Sequence, residues 1–496
     1  MIVFETQLKK LKYEVLKKVI LLTIQDKLNK EELEKIPYEI IKGNKPVYRC
    51  CVHKERAIVL ERAKLAMGCF PTGNIIDELR DIKDDDQIMY VIESACDRCP
   101  INRFTVTEAC RGCIQHKCME VCPAHAITKI DGRAYINQEL CKECGMCKQV
   151  CPYNAISDVK RPCKSSCPTG ALEVRLSDRI ATIEQEDCIN CGACMAACPF
   201  GAISDKSYIV PVTRAVLDKN KKVFAVVAPA IAGQFGQDVN MGQIKEAFLK
   251  IGFSDMIEAA CGADAVTIHE TNEFVERMKN NENYMVNSCC SGVVNYIEKK
   301  FKSEVSKISA TVSPMIAAAR MIKNENKEAI VVFVGPCTAK KSEMLRKEVK
   351  GPVDYVLTFE ELMSLMGALE INPVNLEGVE IEDASLYGRN FAKAGGLTEA
   401  IKNYIEDKKI TADFRPFKAS GSVEIKKALS LAKVGKLPGN FIEGMMCEDG
   451  CIGGAGNMIS RQKSKIQLNK FSKTSKNINV SSNPNLDRFK EVKLEK

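Results

Sequence analysis

Along residues 1–95, apolar side chains return every three or four positions, at Leu8, Leu11, Val15, Val19 and Leu22, with lysines between them. That period puts them on one face of an amphipathic helix. A second segment of this kind runs from about Glu55 to Met67, and Gly68 follows as a stop. Residues 96–198 lose the period and hold sixteen cysteines, with little else to build a core. From Lys221 to Ser460 the pattern changes again. Apolar strand-like runs (Val223–Val227, Ala329–Val334) alternate with amphipathic stretches (Gly242–Ile251, Glu360–Leu369), as in an α/β doubly wound sheet. The pattern divides the chain into a helical region 1–95, a cysteine-rich region 96–208, an α/β region 209–460 and a basic tail 461–496.

Composition narrows the class. The 496 residues exceed what one core supports, so more than one domain is expected. At 45% hydrophobic and 27% charged, the chain is globular in type. The formal charge of +8 is mostly local, since residues 461–496 hold ten basic and three acidic side chains. The rest is near neutral, which argues against a nucleic-acid partner. The Ser-, Asn- and Lys-rich tail reads as a solvated or draped segment. The first thirty residues lack the order of a secretory leader, and no run of eighteen apolar residues occurs. The expectation is a cytoplasmic protein with no membrane partner, where 25 cysteines imply metal ligation rather than disulfides.

The cysteine spacing identifies the metal. Cys110, Cys113, Cys118 and Cys122 form one run, Cys141, Cys144, Cys147 and Cys151 a second, Cys188, Cys191, Cys194 and Cys198 a third, each followed by proline. Three thiolates on a tight loop reach three irons of a cubane, and the fourth, at a helix start, ligates the neighbouring cluster. Zinc would want isolated pairs of pairs. Exchanging last ligands gives one 4Fe-4S set of Cys110, Cys113, Cys118 and Cys151, and another of Cys141, Cys144, Cys147 and Cys122. Cys96 and Cys99, followed by Pro100, join Cys163 and Cys167 as one run split by the inserted module. The same exchange then yields Cys188, Cys191, Cys194 and Cys167, and Cys96, Cys99, Cys163 and Cys198. The region is similar to four-cluster electron-transfer subunits of molybdenum oxidoreductases. Three clusters with spare thiols is the alternative reading. Either arrangement moves single electrons over distance.

Five further cysteines fall in three separated stretches: Asn287-Ser-Cys-Cys-Ser-Gly292, Gly335-Pro-Cys-Thr-Ala-Lys340, and Glu443-Gly-Met-Met-Cys-Glu-Asp-Gly-Cys-Ile-Gly-Gly-Ala-Gly456. The first two follow strand-like runs, where open α/β sheets place their sites. Convergent thiolates there suggest one more cluster, built from non-local ligands. The three stretches resemble, in order, the signatures of the iron–iron hydrogenases, over Lys221 to about Ser460.

That resemblance implies an α/β catalytic domain binding an H-cluster (a 4Fe-4S cubane plus a two-iron subsite with carbon monoxide, cyanide and dithiolate ligands), preceded by ferredoxin-like α+β modules and a helical N-terminal region. It implies that Cys290, Cys337, Cys447 and Cys451 hold the cubane, with Cys451 bridging to the two-iron subsite. Lys340 and the Ala228-Pro229-Ala230 turn match positions that hydrogen-bond the cyanides, a charge-assisted contact in the case of lysine. Cys289 matches a free thiol that hands protons inward, with Glu270, Glu273, Arg277 and Ser313 as the rest of the path. His269 reads as an ordinary packed or surface histidine. The sequence departs from the family at Ser291, Gly292 and Val293, at Gly335, and in Cys-Glu-Asp-Gly-Cys, positions that tune potential and access.

The activity implied is interconversion of protons and electrons with dihydrogen. Its partners would be dihydrogen and protons, a soluble ferredoxin or similar one-electron carrier, and hydrogenase maturation proteins. No glycine-rich dinucleotide loop follows a strand, which argues against direct use of NAD. A cluster-assembly factor of hydrogenase-like type and a hydrogen sensor are the competing readings. Cys50, Cys51, Cys69 and Cys261 have no assigned role.

Overall fold

The computed structural model describes residues 4–71, 86–99, 103–175, 177–381 and 384–496; Pro100, read above as following a ligand, lies outside them. Among the described residues no helix is long and apolar enough to cross a membrane.

The helical periodicity near the start becomes the helices Gln7–Ile24, Lys30–Ile40 and Val52–Ala66. Thr6 and Asn29 cap the first two, each side chain accepting from a backbone N–H three residues on. Cys51 caps the third through its thiol, which accepts from Lys54 N–H at 3.4 Å, a structural use for one of the unassigned cysteines. Val15, Val19 and Ile20 are fully buried against the catalytic half, and Lys12 pairs with Glu360 at 3.0 Å. The N-terminal helices therefore share the main core.

The cysteine-rich region is built from short antiparallel pairs. Phe104–Val106 pairs with Ile156–Asp158, Ile127–Ile130 with Arg133–Ile136, and Leu172–Val174 with Ala181–Ile183. The first pair closes around the second, so the module carrying Cys110 to Cys151 is inserted between the halves of the split run. Met89–Val91 pairs with Ile203–Asp205 and closes the outer module in turn.

The α/β region has two parallel sheets. One has the strand order Asp255–Glu258, Val223–Val227, Ile330–Val334, Tyr355–Leu357. The other has Met285–Val286, Phe441–Met445, Pro416–Ser420. The strands of the first sheet and Met285–Val286 and Phe441–Met445 of the second are largely buried, whereas Pro416–Ser420 is a partly exposed edge strand. Helices such as Ala259–Lys279 and Pro314–Glu325 pack against them. The loops carrying Ala228, Cys289, Cys337 and Cys447 all leave the carboxyl ends of strands.

Residues 461–496, expected to be solvated or draped, are packed against the rest of the chain more closely than either reading implied. They form a helix, Arg461–Ser472, and two 3-10 turns, and Leu468, Phe471, Val480, Phe489 and Val492 are buried in the main core. The buried Gln234 amide bonds Ser464 and accepts from Met458 N–H. Arg389, 1% exposed, is bidentate to Glu258, bonds Thr474 and stacks on Phe471. Lysines 463, 465, 470 and 473 stay in water, so the charge marks one face of a packed segment.

Candidate functional site

The three cysteine stretches, spread over residues 287–456, meet around one apolar cavity. Cys289, Cys290, Cys337, Cys451, Lys340, Ala228 and Pro229 all line it. Ala230 is buried in the same turn but does not face the cavity. Burial and then the neighbouring thiols Cys337, Cys290, Cys191 and Cys451 push the Cys447 thiol up strongly. Burial and the thiol of Cys290 raise Cys337 to about 11, and burial with Cys337 and Cys290 raises Cys451 to about 12. Four soft donors crowded in an apolar site cannot all ionise alone. A polycationic iron–sulfur core is the counter-charge that suits them, so the donor set fits a cubane.

Lys340 is 9% exposed, and its ammonium donates to Cys289 O at 3.2 Å and to Glu343 Oε2 at 2.5 Å. Burial opposes its charge, but Glu343 more than compensates and holds the pKa above the usual lysine value. Ser291, one of the positions that depart from the family signature, donates to the same Glu343 carboxylate. This departure therefore adds a fixed donor behind the lysine.

Cys289 is 8% exposed and accepts from Asn287 Nδ2 at 3.0 Å. Burial, followed by Glu270 and Cys290, pushes its thiol well up, so it is held protonated. Glu270 is fully buried, takes Ser288 N–H at 3.3 Å on Oε1, and leaves Oε2 without a protein partner. Burial and then Glu273 raise it to about 8. Glu273 stays ionised: burial pushes it up, but donations from Ser309, Ala310 and Thr311 and the nearby Arg277 outweigh that. Ser309 donates to Glu273 Oε2 at 2.6 Å and lies close enough to Glu270 to favour its charged form.

Sequence reasoning named Ser313 and missed Ser309. Ser313 instead caps the helix Pro314–Glu325 and lies close enough to Glu343, the partner of Lys340, to favour its carboxylate. The proline after Ser313 marked a helix cap, which is the signal that separates the two serines.

In the cysteine-rich region the electrostatic neighbours of each thiol report the grouping. Cys118 is pushed up by burial, then by Cys113 and Cys151. Cys147 is pushed up by burial, with Cys141, Cys144 and Cys122 adding to it. Cys163 has Cys198 and Cys96 beside it, and Cys99 has Cys96 and Cys198. Cys194, buried, has Cys191, Cys188 and Cys167. Cys110 sits on the same loop as Cys113 and touches the hairpin at Ala134 N–H. Each fourth cysteine thus lies with the triplet of the other run. Among the described residues no group of three or more His, Cys, Asp or Glu side chains is arranged to hold a single metal ion.

Cys191 is the thiol that approaches the cavity cysteines, pushed up to about 12 by burial with Cys188, Cys167 and Cys337 nearby. Gly192 makes this approach feasible: at φ 73°, a Cβ there would stand 2.7 Å from both Thr338 Oγ1 and Ala455 Cβ. Thr338 Oγ1 in turn donates to Asn190 O at 2.7 Å.

A two-sheet α/β domain with thiols gathered at its strand ends, abutting a ferredoxin-like cysteine-rich module, is the build of an iron–sulfur redox protein. The family model for the iron-only hydrogenase large subunit, C-terminal domain, matches residues 221–455, a 4Fe-4S binding domain matches 134–157, and an LdpA Fe-S cluster-binding domain matches 156–209. Residues 221–455 thus carry a domain of the type found at the C-terminus of the iron-only hydrogenase large subunit, with an iron–sulfur region ahead of it. It is 25% identical over 301 residues to iron hydrogenase 1 of Clostridium pasteurianum, covering 51% of this chain and 52% of that one. It is 27% identical to the periplasmic [Fe] hydrogenase large subunit of Nitratidesulfovibrio vulgaris, over 51% of this chain and 73% of the relative. Protein NAR1 of Arabidopsis thaliana is 26% identical, over 49% and 67%. The chain spans about half the length of the clostridial relative.

Proposed function

We propose that this protein interconverts protons and electrons with dihydrogen at an H-cluster, fed by four 4Fe-4S clusters that exchange electrons with a soluble ferredoxin or similar carrier in the cytoplasm, after maturation proteins install the two-iron subsite. The observation that carries this is the apolar cavity into which three cysteines of the ligand set, the Lys340 ammonium and the Cys289 thiol all open. Cys290, Cys337, Cys447 and Cys451 would hold the cubane, and the two-iron subsite with its carbon monoxide, cyanide and dithiolate ligands would occupy the cavity. The bound group supplies the redox and hydrogen-splitting chemistry.

The chain's own residues supply the rest. Lys340, fixed between Glu343 and Cys289 O, presents a charge-assisted donor to an anionic ligand. The cavity wall from Ala228, Pro229, Met315, Phe333 and Phe391 excludes water. Cys289 stays protonated and faces Glu270, whose pKa of about 8 lets it accept and release a proton near neutral pH. Ser309, beside Glu270, donates to Glu273, and Arg277 holds Glu273 in place at 2.7 Å. Cys191 provides the near end of the electron route.

Purified protein matured with its two-iron subsite is expected to show cyanide and carbonyl stretching bands and to evolve hydrogen from reduced viologen. Absence of those bands after expression with maturation enzymes would remove the hydrogenase reading. The similarity to Protein NAR1 keeps a hydrogenase-like protein without hydrogen turnover as the second reading; bands absent but cluster content intact would favour it.

A further inference from the structure

Glu273 accepts four donors, and only two of them can pass a proton. Oε1 takes Ala310 N–H at 2.8 Å and Arg277 Nη2 at 2.7 Å. Oε2 takes Ser309 Oγ at 2.6 Å and Thr311 Oγ1 at 2.9 Å. A backbone amide does not relay, and a guanidinium does not deprotonate in proteins. The hydroxyls remain. Ser309 faces inward to Glu270, so the outward port is Thr311.

Thr311 Oγ1 lies 2.9 Å from His269 Nδ1, and His269 Nε2 lies 3.8 Å from Glu495 Oε1. The imidazole side chain is 29% exposed, so one nitrogen meets the buried chain while the ring reaches water. This contact is built rather than incidental. Residues 494–496 run antiparallel along 310–312: Thr311 bridges Glu495, Val312 N–H donates to Leu494 O at 2.8 Å, and Lys496 N–H donates to Ala310 O at 3.0 Å. Arg320 fastens the segment through Lys493 O and Glu495 O, at 2.6 and 2.7 Å. Lys496 Nζ donates to Ser309 O at 3.0 Å and covers that serine.

We infer that His269 is the group through which the Glu270–Ser309–Glu273 chain exchanges protons with solvent, with Thr311 as the relay and Glu495 placed by the 494–496 segment as its outer acceptor. The inference rests on the proposed function for the direction of proton flow. In the outward step the Glu273 acid O–H breaks and its proton passes to the Thr311 oxygen. The Thr311 proton passes to Nδ1, and the Nε2 proton leaves to Glu495 or water. Glu273 ends as the carboxylate and His269 as the other neutral tautomer, so charge and protons balance. With the hydroxyl donating to Glu273, as the recorded contact has it, Nδ1–H donates to Thr311, which is the state after such a step.

The test uses the cluster-loaded protein and its His269→Gln and Thr311→Val variants. The infrared band of the buried protonated carboxyl is assigned to Glu270 by its loss in Glu270→Gln, and its deuteration in D2O is timed. Both variants are expected to slow deuteration by at least about tenfold, as for loss of a positioned proton-transfer group. They should slow hydrogen evolution in parallel, and added imidazole should restore His269→Gln but not Thr311→Val. Unchanged deuteration in both variants would overturn the inference and leave direct exchange at the Glu273 edge. If the wild type evolves no hydrogen, the proposed function falls while the deuteration comparison still decides the outlet.

Discussion

Replacing Glu270 by Gln should strengthen the fold while stopping the proton path. Glu270 is fully buried, and burial with Glu273 nearby raises it from 4.5 to about 8. Between those values the folded protein keeps a proton that the unfolded chain has released. Stability therefore falls as pH rises through that window, and is fullest below pH 4.5. Each pH unit costs about 1.4 kcal/mol, so the penalty at pH 7 is about 3 kcal/mol. Glutamine has the shape of the protonated acid, keeps the Ser288 N–H contact on its oxygen, and puts its amide where Oε2 has no protein partner now. Removal of the penalty should raise the melting temperature of the catalytic domain by roughly 6–12 °C at pH 7, at about 2–4 °C per kcal/mol. The gain should vanish toward pH 4.5. Hydrogen evolution should fall by roughly 10²–10⁴-fold, since an amide cannot exchange the proton. Calorimetry of matched preparations at pH 5 and pH 7, with a viologen assay alongside, tests both halves. A stability difference that is the same at both pH values, or a less stable variant at pH 7, would refute the reasoning.

Two further outcomes follow from packing and grouping. Phe471→Ala removes a ring that is 7% exposed and lies under the Arg389 guanidinium, at 4.3 Å; a loss of about 3–5 kcal/mol is expected, read as a lower melting temperature, whereas a neutral result would mean that residues 461–496 are dispensable to the core. Cys151→Ser should diminish the cluster served by Cys110, Cys113 and Cys118, and Cys122→Ser the one served by Cys141, Cys144 and Cys147; iron content and the electron paramagnetic spectrum should drop by one cluster each, and loss of the cluster on the mutated run itself would reverse the assignment.

The cysteine spacing carried most of the local chemistry, because a loop of x2 gaps followed by a proline-terminated turn is a local constraint. The exchange of last ligands read from the spacing assigns each fourth cysteine to the triplet of the other run. The nested antiparallel pairs Phe104–Val106 with Ile156–Asp158 and Met89–Val91 with Ile203–Asp205 bring Cys151 to Cys118 and Cys198 to Cys163. Ser313 was a residue of the right type in the wrong place. The proline after Ser313 is a local sign of a helix cap, whereas the approach of Ser309 to Glu273 on the helix Ala259–Lys279 is set only by the tertiary fold. The tail misled for a related reason. Its charge is a surface property, and five apolar residues scattered among lysines and asparagines have no helical period strong enough to announce burial.

Sequence by itself determined the donor chemistry: which thiols share a loop, which strand-like runs the first two C-terminal cysteine stretches follow, and that the middle of the chain needs metal to have a core. Tertiary structure decided everything that depends on separated segments meeting. It closed three stretches around one cavity, set Glu270 in a site dry enough to hold its proton near neutrality, and laid residues 494–496 beside Thr311 and His269. Ligand type and loop spacing act within a few residues, whereas dielectric, proximity of like charges and the ends of a hydrogen-bonded chain are set only when the chain has packed.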